Sequence, residues 1–161
     1  MVKEELDAKL EAHVKWLKTR FTCNVEGACA DLTDADLTDA DLTRADLTCA
    51  DLTRADLTRA KLTDAKLTDA KLTGADLTDA DLSGADLTCA DLTHADLTGV
   101  DLTGADLTDA DLTGVDLTGV DLTDADLNIW RASPFVYEAL AASFAAQMAL
   151  KKTRIEWRQN H

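Results

Sequence analysis

The residue best placed to do chemistry in this chain is aspartate, and it recurs at a fixed interval. From Asp31 to Asp126 every fifth position is Asp or, at Lys61, Lys66 and Lys71, lysine. Residues 30–129 hold 24 Asp against three Lys and three Arg, a net charge of −18 in a chain whose formal net charge is −15. Carboxylates in such a series can bind divalent cations, solvate a surface or imitate the phosphates of a nucleic acid. Even repetition at one spacing fits a solvated face better than a specific metal site, so neither metal nor cofactor is expected. Catalysis has little to work with. His13, His94 and His161 lie in different parts of the chain, and no nucleophile–base spacing or phosphate loop is present, so the chain is read as not an enzyme. Lys151, Lys152, Arg154 and Arg158 suit the negative end of a helix dipole better than nucleic acid.

Something must position a carboxylate and a leucine every five residues. Five steps around an α-helix turn the chain by about 500°, which smears successive leucines around the surface. In an extended strand an odd spacing sends them to alternate faces. A bend once per pentad resolves both problems: each pentad is a short extended piece, and the bend returns the next leucine to the same interior. From Ala30 to Ile129 the chain divides without a gap into 20 pentads of Ala/Val, Asp/Lys, Leu, Thr and a variable residue. The first residue and the Leu point inward, the charged residue between them points out, and Thr with the fifth residue makes the corner. Asp fills seven of the fifth positions and Gly six, both types that tolerate turns.

This pattern resembles the pentapeptide-repeat family, whose motif is A(D/N)LXX. The resemblance implies an all-β solenoid, a right-handed quadrilateral β-helix with four pentads per coil. Twenty pentads then make five coils, a rod of ~24 Å at a coil spacing of ~4.8 Å. Each coil buries four Leu and four small residues, with Val100, Val115 and Val120 adding methyls toward the C-terminal end. A solenoid exposes apolar layers and open strand edges at its ends, so both need caps. Leu6, Leu10, Val14 and Leu17 predict an amphipathic helix over residues 3–19, with His13 and Trp16 nearby. Ser133 and Pro134 are a helix start, and the helix is expected to reach about residue 158. The domains are therefore 1–24, an N-terminal cap and connection; 25–129, the β-helix; and 130–161, the C-terminal helix.

Residues 20 apart share a face. One column reads Asp36, Asp56, Asp76, Asp96, Asp116 without a base, and is the candidate acidic interaction surface. The other three outward columns contain one lysine each, and Arg44, Arg54 and Arg59 lie in the first two coils. The expected function is a rigid acidic scaffold or protein-interaction module. The alternative is a DNA mimic: some members of the family bind type II topoisomerases such as gyrase, and 18 net charges over ~24 Å approach the one per ~1.7 Å of duplex DNA. This chain differs from the gyrase-binding members in having Leu at every centre and no loop between coils. Repeats this uniform are also what tandem duplication or consensus design would write, and a designed array would have no native partner. Stacked like charges are expected to raise the Asp pKa values.

The sequence "VEGAC" at residues 25–29 keeps the pentad phase, which puts Cys29 and Cys49 on one face at about 5 Å between Cα atoms, with Cys89 two coils further and Cys23 off the column. In a reducing cytosol these are expected to be thiols. Residues 139–150 are apolar nearly all round apart from Ser143 and Gln147, which predicts a homodimer through Leu140, Ala142, Phe144, Ala146 and Met148. Dimerising gyrase-binding members pair through C-terminal segments, so the resemblance points the same way. No run is long enough to span a membrane and the N-terminus lacks an apolar leader, so a cytoplasmic protein with no direct nucleic-acid or membrane contact is expected.

Overall fold

In a computed structural model of the chain, residues 3–19, 29–117, 119–127 and 131–132 are described. The expected C-terminal helix, with Leu140, Ala142, Phe144, Ala146 and Met148, lies outside the described residues, as does Cys23. The chain opens with helix α1, Lys3–Thr19, the range the sequence predicts. Glu4 and Glu5 in its first turn and Lys18 in its last complement the helix dipole.

From Asp31 onward the chain coils with a period of twenty residues. Parallel bridges pair Asp31 with Asp51, Asp36 with Asp56, Asp41 with Lys61 and Asp46 with Lys66, and the same four ladders repeat through every coil to Asp106 with Asp126. Strands β1, Asp111–Leu112, and β2, Arg131–Ala132, form the last rung of the first ladder, Asp111 opposite Arg131. The register thus continues past the twentieth pentad.

The pentad closes because almost every backbone N–H has a defined destination. In the pentad Ala30–Asp34 and its neighbours, Leu32 N–H donates forward to Asp51 C=O at 2.7 Å and Asp34 N–H to Thr53 C=O at 3.0 Å. Asp51 N–H donates back to Ala30 C=O at 2.8 Å, and Ala35 N–H closes the turn on Leu32 C=O at 3.1 Å. The fourth N–H, that of Thr33, is taken by the Asp31 carboxylate within its own pentad, Oδ1 accepting at 3.2 Å. Each corner residue sits at positive φ, from 53° to 60° at thirteen non-glycine positions and from 65° to 79° at six glycines. The turn is therefore type II with the fifth residue at its third position, which explains the preference for Asp and Gly there.

Inside, the leucines from Leu32 to Leu122 and nearly all the Ala and Val positions form one continuous buried core. At the two ends Ala40, Ala45, Ala125 and Leu127 are only partly buried. Leu6 and Leu10 of α1 pack onto the first coil. One detail departs from the expected apolar stripe: Val14 is 40% exposed, whereas His13 is fully buried. The buried face runs Leu6, Leu10, His13, Leu17, which follows the helical period better than the set containing Val14.

Candidate acidic interaction surface

The register brings Asp36, Asp56, Asp76, Asp96 and Asp116 into a single ladder, each paired with the next by a parallel bridge. Their side chains leave the rod on the outer face, where Asp36, Asp56, Asp76, Asp96 and Asp116 are all exposed. The sequence identified this column; it did not reveal what else the carboxylates do. One oxygen of Asp96 accepts both the Thr98 N–H at 2.9 Å and the Thr98 hydroxyl at 2.6 Å. The same clamp holds Thr78 on Asp76, Thr53 on Asp51, Thr113 on Asp111, Thr123 on Asp121 and Ser83 on Asp81. This explains why Thr or Ser follows two residues after the acid. Where Lys61, Lys66 and Lys71 replace the acid, Thr63, Thr68 and Thr73 turn their hydroxyls to Asp81, Asp86 and Asp91 of the next coil, at 2.9–3.0 Å.

At a subset of the Asp these bonds reverse the expected direction of titration. The Thr hydroxyl first, then its N–H, holds the carboxyls of Asp31, Asp36, Asp41, Asp56, Asp96 and Asp121 below their ordinary range. Repulsion from Asp56 on Asp36 and from Asp116 on Asp96 acts upward but comes last among the causes. In Asp86 and Asp91 burial pushes up most strongly, yet the bonds from Thr88 and Thr68, and from Thr93 and Thr73, together carry both down. The expectation of raised values fails because a short hydrogen bond to the charged form outweighs a like charge one coil away across water.

Within residues 30–127 the six Lys and Arg lie between Arg44 and Lys71, and five of them pair with Asp across coils. Arg54 meets Asp34 through two bonds of 2.7 and 2.6 Å, and Arg59 meets Asp39 through two of 2.8 Å. Arg44 reaches Asp64 at 3.4 Å, Lys71 reaches Asp51 at 3.3 Å and Lys66 approaches Asp46 at 3.7 Å. From Ala75 to Leu127 there are 14 Asp and no Lys or Arg. Among the described residues no group of His, Cys, Asp and Glu is arranged to hold a metal ion.

Cys29, Cys49 and Cys89 are thiols. Cys49 is a corner residue at φ 60°, whereas Cys29 lies two residues before Asp31, where the described bridges begin. Partial loss of hydration, then the carboxylates of Asp69, Asp109 and Asp86, push the Cys89 thiol up, which makes it a poor nucleophile. The sequence reading placed His13 beside the apolar stripe without a role and passed over Lys9; both bond the backbone of the first coil.

The sequence model described as pentapeptide repeats matches this chain in 8 copies, over residues 28–64, 65–104 and 90–128. Among solved structures, the chain is similar to a pentapeptide repeat protein from the Arabidopsis thaliana thylakoid lumen. The two are 41% identical with a TM-score of 0.58, over 60% of this chain and 68% of that one. It is also similar to Rfr23, a pentapeptide repeat protein from the cyanobacterium Cyanothece 51142, at 39% identity and a TM-score of 0.56, over 58% of this chain and 64% of that one. QnrB1, a plasmid-mediated fluoroquinolone resistance protein, matches at 19% identity and a TM-score of 0.38, a likeness that carries no argument about a partner. No curated protein matches in sequence. No helix among the described residues is long and apolar enough to cross a membrane.

Proposed function

The chain belongs to the pentapeptide-repeat family, and from that premise we propose that it is a non-enzymatic cytoplasmic interaction module, a rigid rod that presents an acidic surface to a basic protein partner. The observation that carries the reading is the stretch from Ala75 to Leu127, which holds 14 Asp and no Lys or Arg; 11 of the Asp stand on the four ladders, and Lys61, Lys66 and Lys71 adjoin the stretch only at its first rungs, opposite Asp81, Asp86 and Asp91. A flexible acidic tail would have to be ordered on binding; this surface is ordered beforehand, which lowers the cost of association. The test is capture of a partner at low salt by the wild type and by a variant with Asp76→Asn, Asp96→Asn and Asp116→Asn. A partner held by the column elutes with salt and is lost in the variant; equal capture by both refutes the reading.

A second reading, mimicry of DNA toward a type II topoisomerase, is favoured by charge density. Fourteen carboxylates over ~13 Å of rod amount to one per ~0.9 Å, denser than the one per ~1.7 Å of duplex DNA. Its test is gyrase supercoiling with the wild type and the same triple variant. Mimicry requires inhibition by micromolar wild type that the variant loses; no inhibition, or equal inhibition, rejects it. A homodimer through Leu140, Ala142, Phe144, Ala146 and Met148 completes the proposal, on the apolar character of residues 139–150.

A further inference from the structure

The first coil differs from every later rung because, among the described residues, the element that precedes it is helix α1 and not another coil. Elsewhere the carbonyl at the second pentad position accepts a leucine N–H from the coil before, as Asp51 C=O accepts Leu32 N–H. At the end of the rod the Asp31 carbonyl instead accepts the Lys9 ammonium at 2.6 Å. Elsewhere the first N–H of a pentad closes the preceding turn, as Ala35 N–H does on Leu32 C=O. At the end of the rod Ala30 N–H donates to His13 Nδ1 at 3.0 Å. Helix α1 thus fastens to the rod by two side chains acting as substitutes for a missing coil.

The bond to His13 has a chemical requirement. A backbone N–H can only donate, so Nδ1 must carry a lone pair, and the ring is neutral with its proton on Nε2. His13 is fully buried and stacks on Trp16, ring centres 5.7 Å apart and planes 19° from parallel. Protonation would set an Nδ1–H against the Ala30 N–H and leave a charge in a site shielded from water. Among the described residues, Lys9 lies one turn before His13 on α1, and Cys29 and Asp31 flank Ala30 on the coil. Lys9 opposes a second positive charge, and Asp31 already spends its carboxylate on the Thr33 hydroxyl and N–H.

We propose that His13 is a proton-operated latch: neutral, it holds α1 across the open end of the β-helix by accepting the Ala30 N–H, and protonated, it releases α1. What then remains among the described residues is the bond from Lys9 to the Asp31 carbonyl and the packing of Leu6 and Leu10. Leu6 and Leu10 are only partly buried, and a groove separates α1 from Leu37, Ala40 and Leu42 beneath it. The docked form binds fewer protons than the released one, so docking is fully favoured above the free imidazole pKa of ~6.5 and weakens below it, by at most tenfold per pH unit for one proton. The repeats stay folded in this window because it lies well above ~3.9, where an ordinary Asp titrates. Release at mildly acidic pH bares the first coil's backbone edge and apolar layer.

Amide hydrogen exchange on the full chain from pH 7.5 to 5.0, corrected for the intrinsic rate, reads the latch directly. Protection of residues 3–19 is expected to fall at least tenfold across that range while residues 50–110 keep theirs. In His13→Gln the side-chain oxygen accepts the same N–H without titrating, so α1 protection becomes independent of pH. Loss of α1 protection over the same range in His13→Gln, or simultaneous loss in α1 and the coils, overturns the proposal. NMR of the wild-type imidazole supplies a measurement independent of any variant. The ring is expected to be the Nε2–H tautomer at pH 7.5 and to protonate together with α1 release; protonation while α1 stays protected also overturns the latch.

Discussion

At the scale of the residue, the repeated aspartate has two separable properties, charge and the ability to accept a hydrogen bond. Asp91 Oδ1 accepts the Thr93 N–H at 3.0 Å, and its other oxygen takes the Thr73 hydroxyl at 2.9 Å. Asn keeps an acceptor for the N–H, so Asp91→Asn is expected to leave stability nearly unchanged, whereas Asp91→Ala is expected to cost about 1–2 kcal/mol, comparable to loss of a helix N-cap. Urea unfolding of both variants distinguishes them. The same bonds set the response to pH. Carboxyls held low in the folded chain bind fewer protons than in the unfolded chain, so their contribution is full above the unfolded value of ~3.9 and is lost as pH falls through the folded values. The melting temperature of the coils is therefore expected to be flat from pH 8 to 5 and to drop between pH 4 and 2. A rise toward pH 3 would mean that column repulsion dominates. The sequence showed where each acid points because alternation along a short strand is simple geometry. It concealed the titration because the Thr at the fourth position reads as a mere corner residue until the turn is built, when its N–H is seen to face back on the acid.

At the scale of the element, the solenoid was legible and its fastening was not. A five-residue period with an inward Leu admits few chain paths, and the bridges follow the one expected. His13 fits the helical period of the buried face, but its role was hidden because Val14 is the more apolar choice for that stripe and the bonding partner is the backbone of a residue seventeen positions away. Each rung is a near copy of the next, so its cost of damage can be measured by comparing identical substitutions. Leu77 is fully buried between two complete coils, and Leu77→Ala is expected to cost about 2–5 kcal/mol, the range for a cavity in a packed core. Corners behave differently. A Cβ at Gly104, φ 68°, meets nothing within 4 Å, so Gly104→Ala carries only the backbone strain of about 1 kcal/mol. At Gly114, φ 78°, the added carbon would run into the His94 imidazole of the coil before, so Gly114→Ala is expected to cost more. Adding His94→Ala should remove that excess alone; a double-mutant cycle without coupling would show that the ring simply swings away.

At the scale of the whole molecule, charge divides the rod. The first coils are laced by Arg54–Asp34, Arg59–Asp39 and Arg44–Asp64, and the later coils carry only acid. Exposed ion pairs weaken with salt and exposed repulsion is relieved by it, so the two halves should respond oppositely. Raising salt from 0.05 to about 0.5 M is expected to speed amide exchange slightly in residues 50–64 and slow it in residues 95–117. Uniform change along the rod would mean that the coils share one cooperative unit that averages the two effects. The same division bears on assembly. Two copies meeting at their acidic ends would repel unless residues 130–161, which carry five bases against two acids, stood between them. The alanines of residues 139–150 would permit close approach of two such segments, and a two-fold axis there would send the rods in opposite directions. Light scattering at high micromolar protein is therefore expected to give twice 17.3 kDa, and Ala142→Glu with Ala146→Glu to return the mass to that of one chain. A single-chain mass for the unmodified protein would instead place the apolar segment against its own last coil, leaving the acidic rod to act alone.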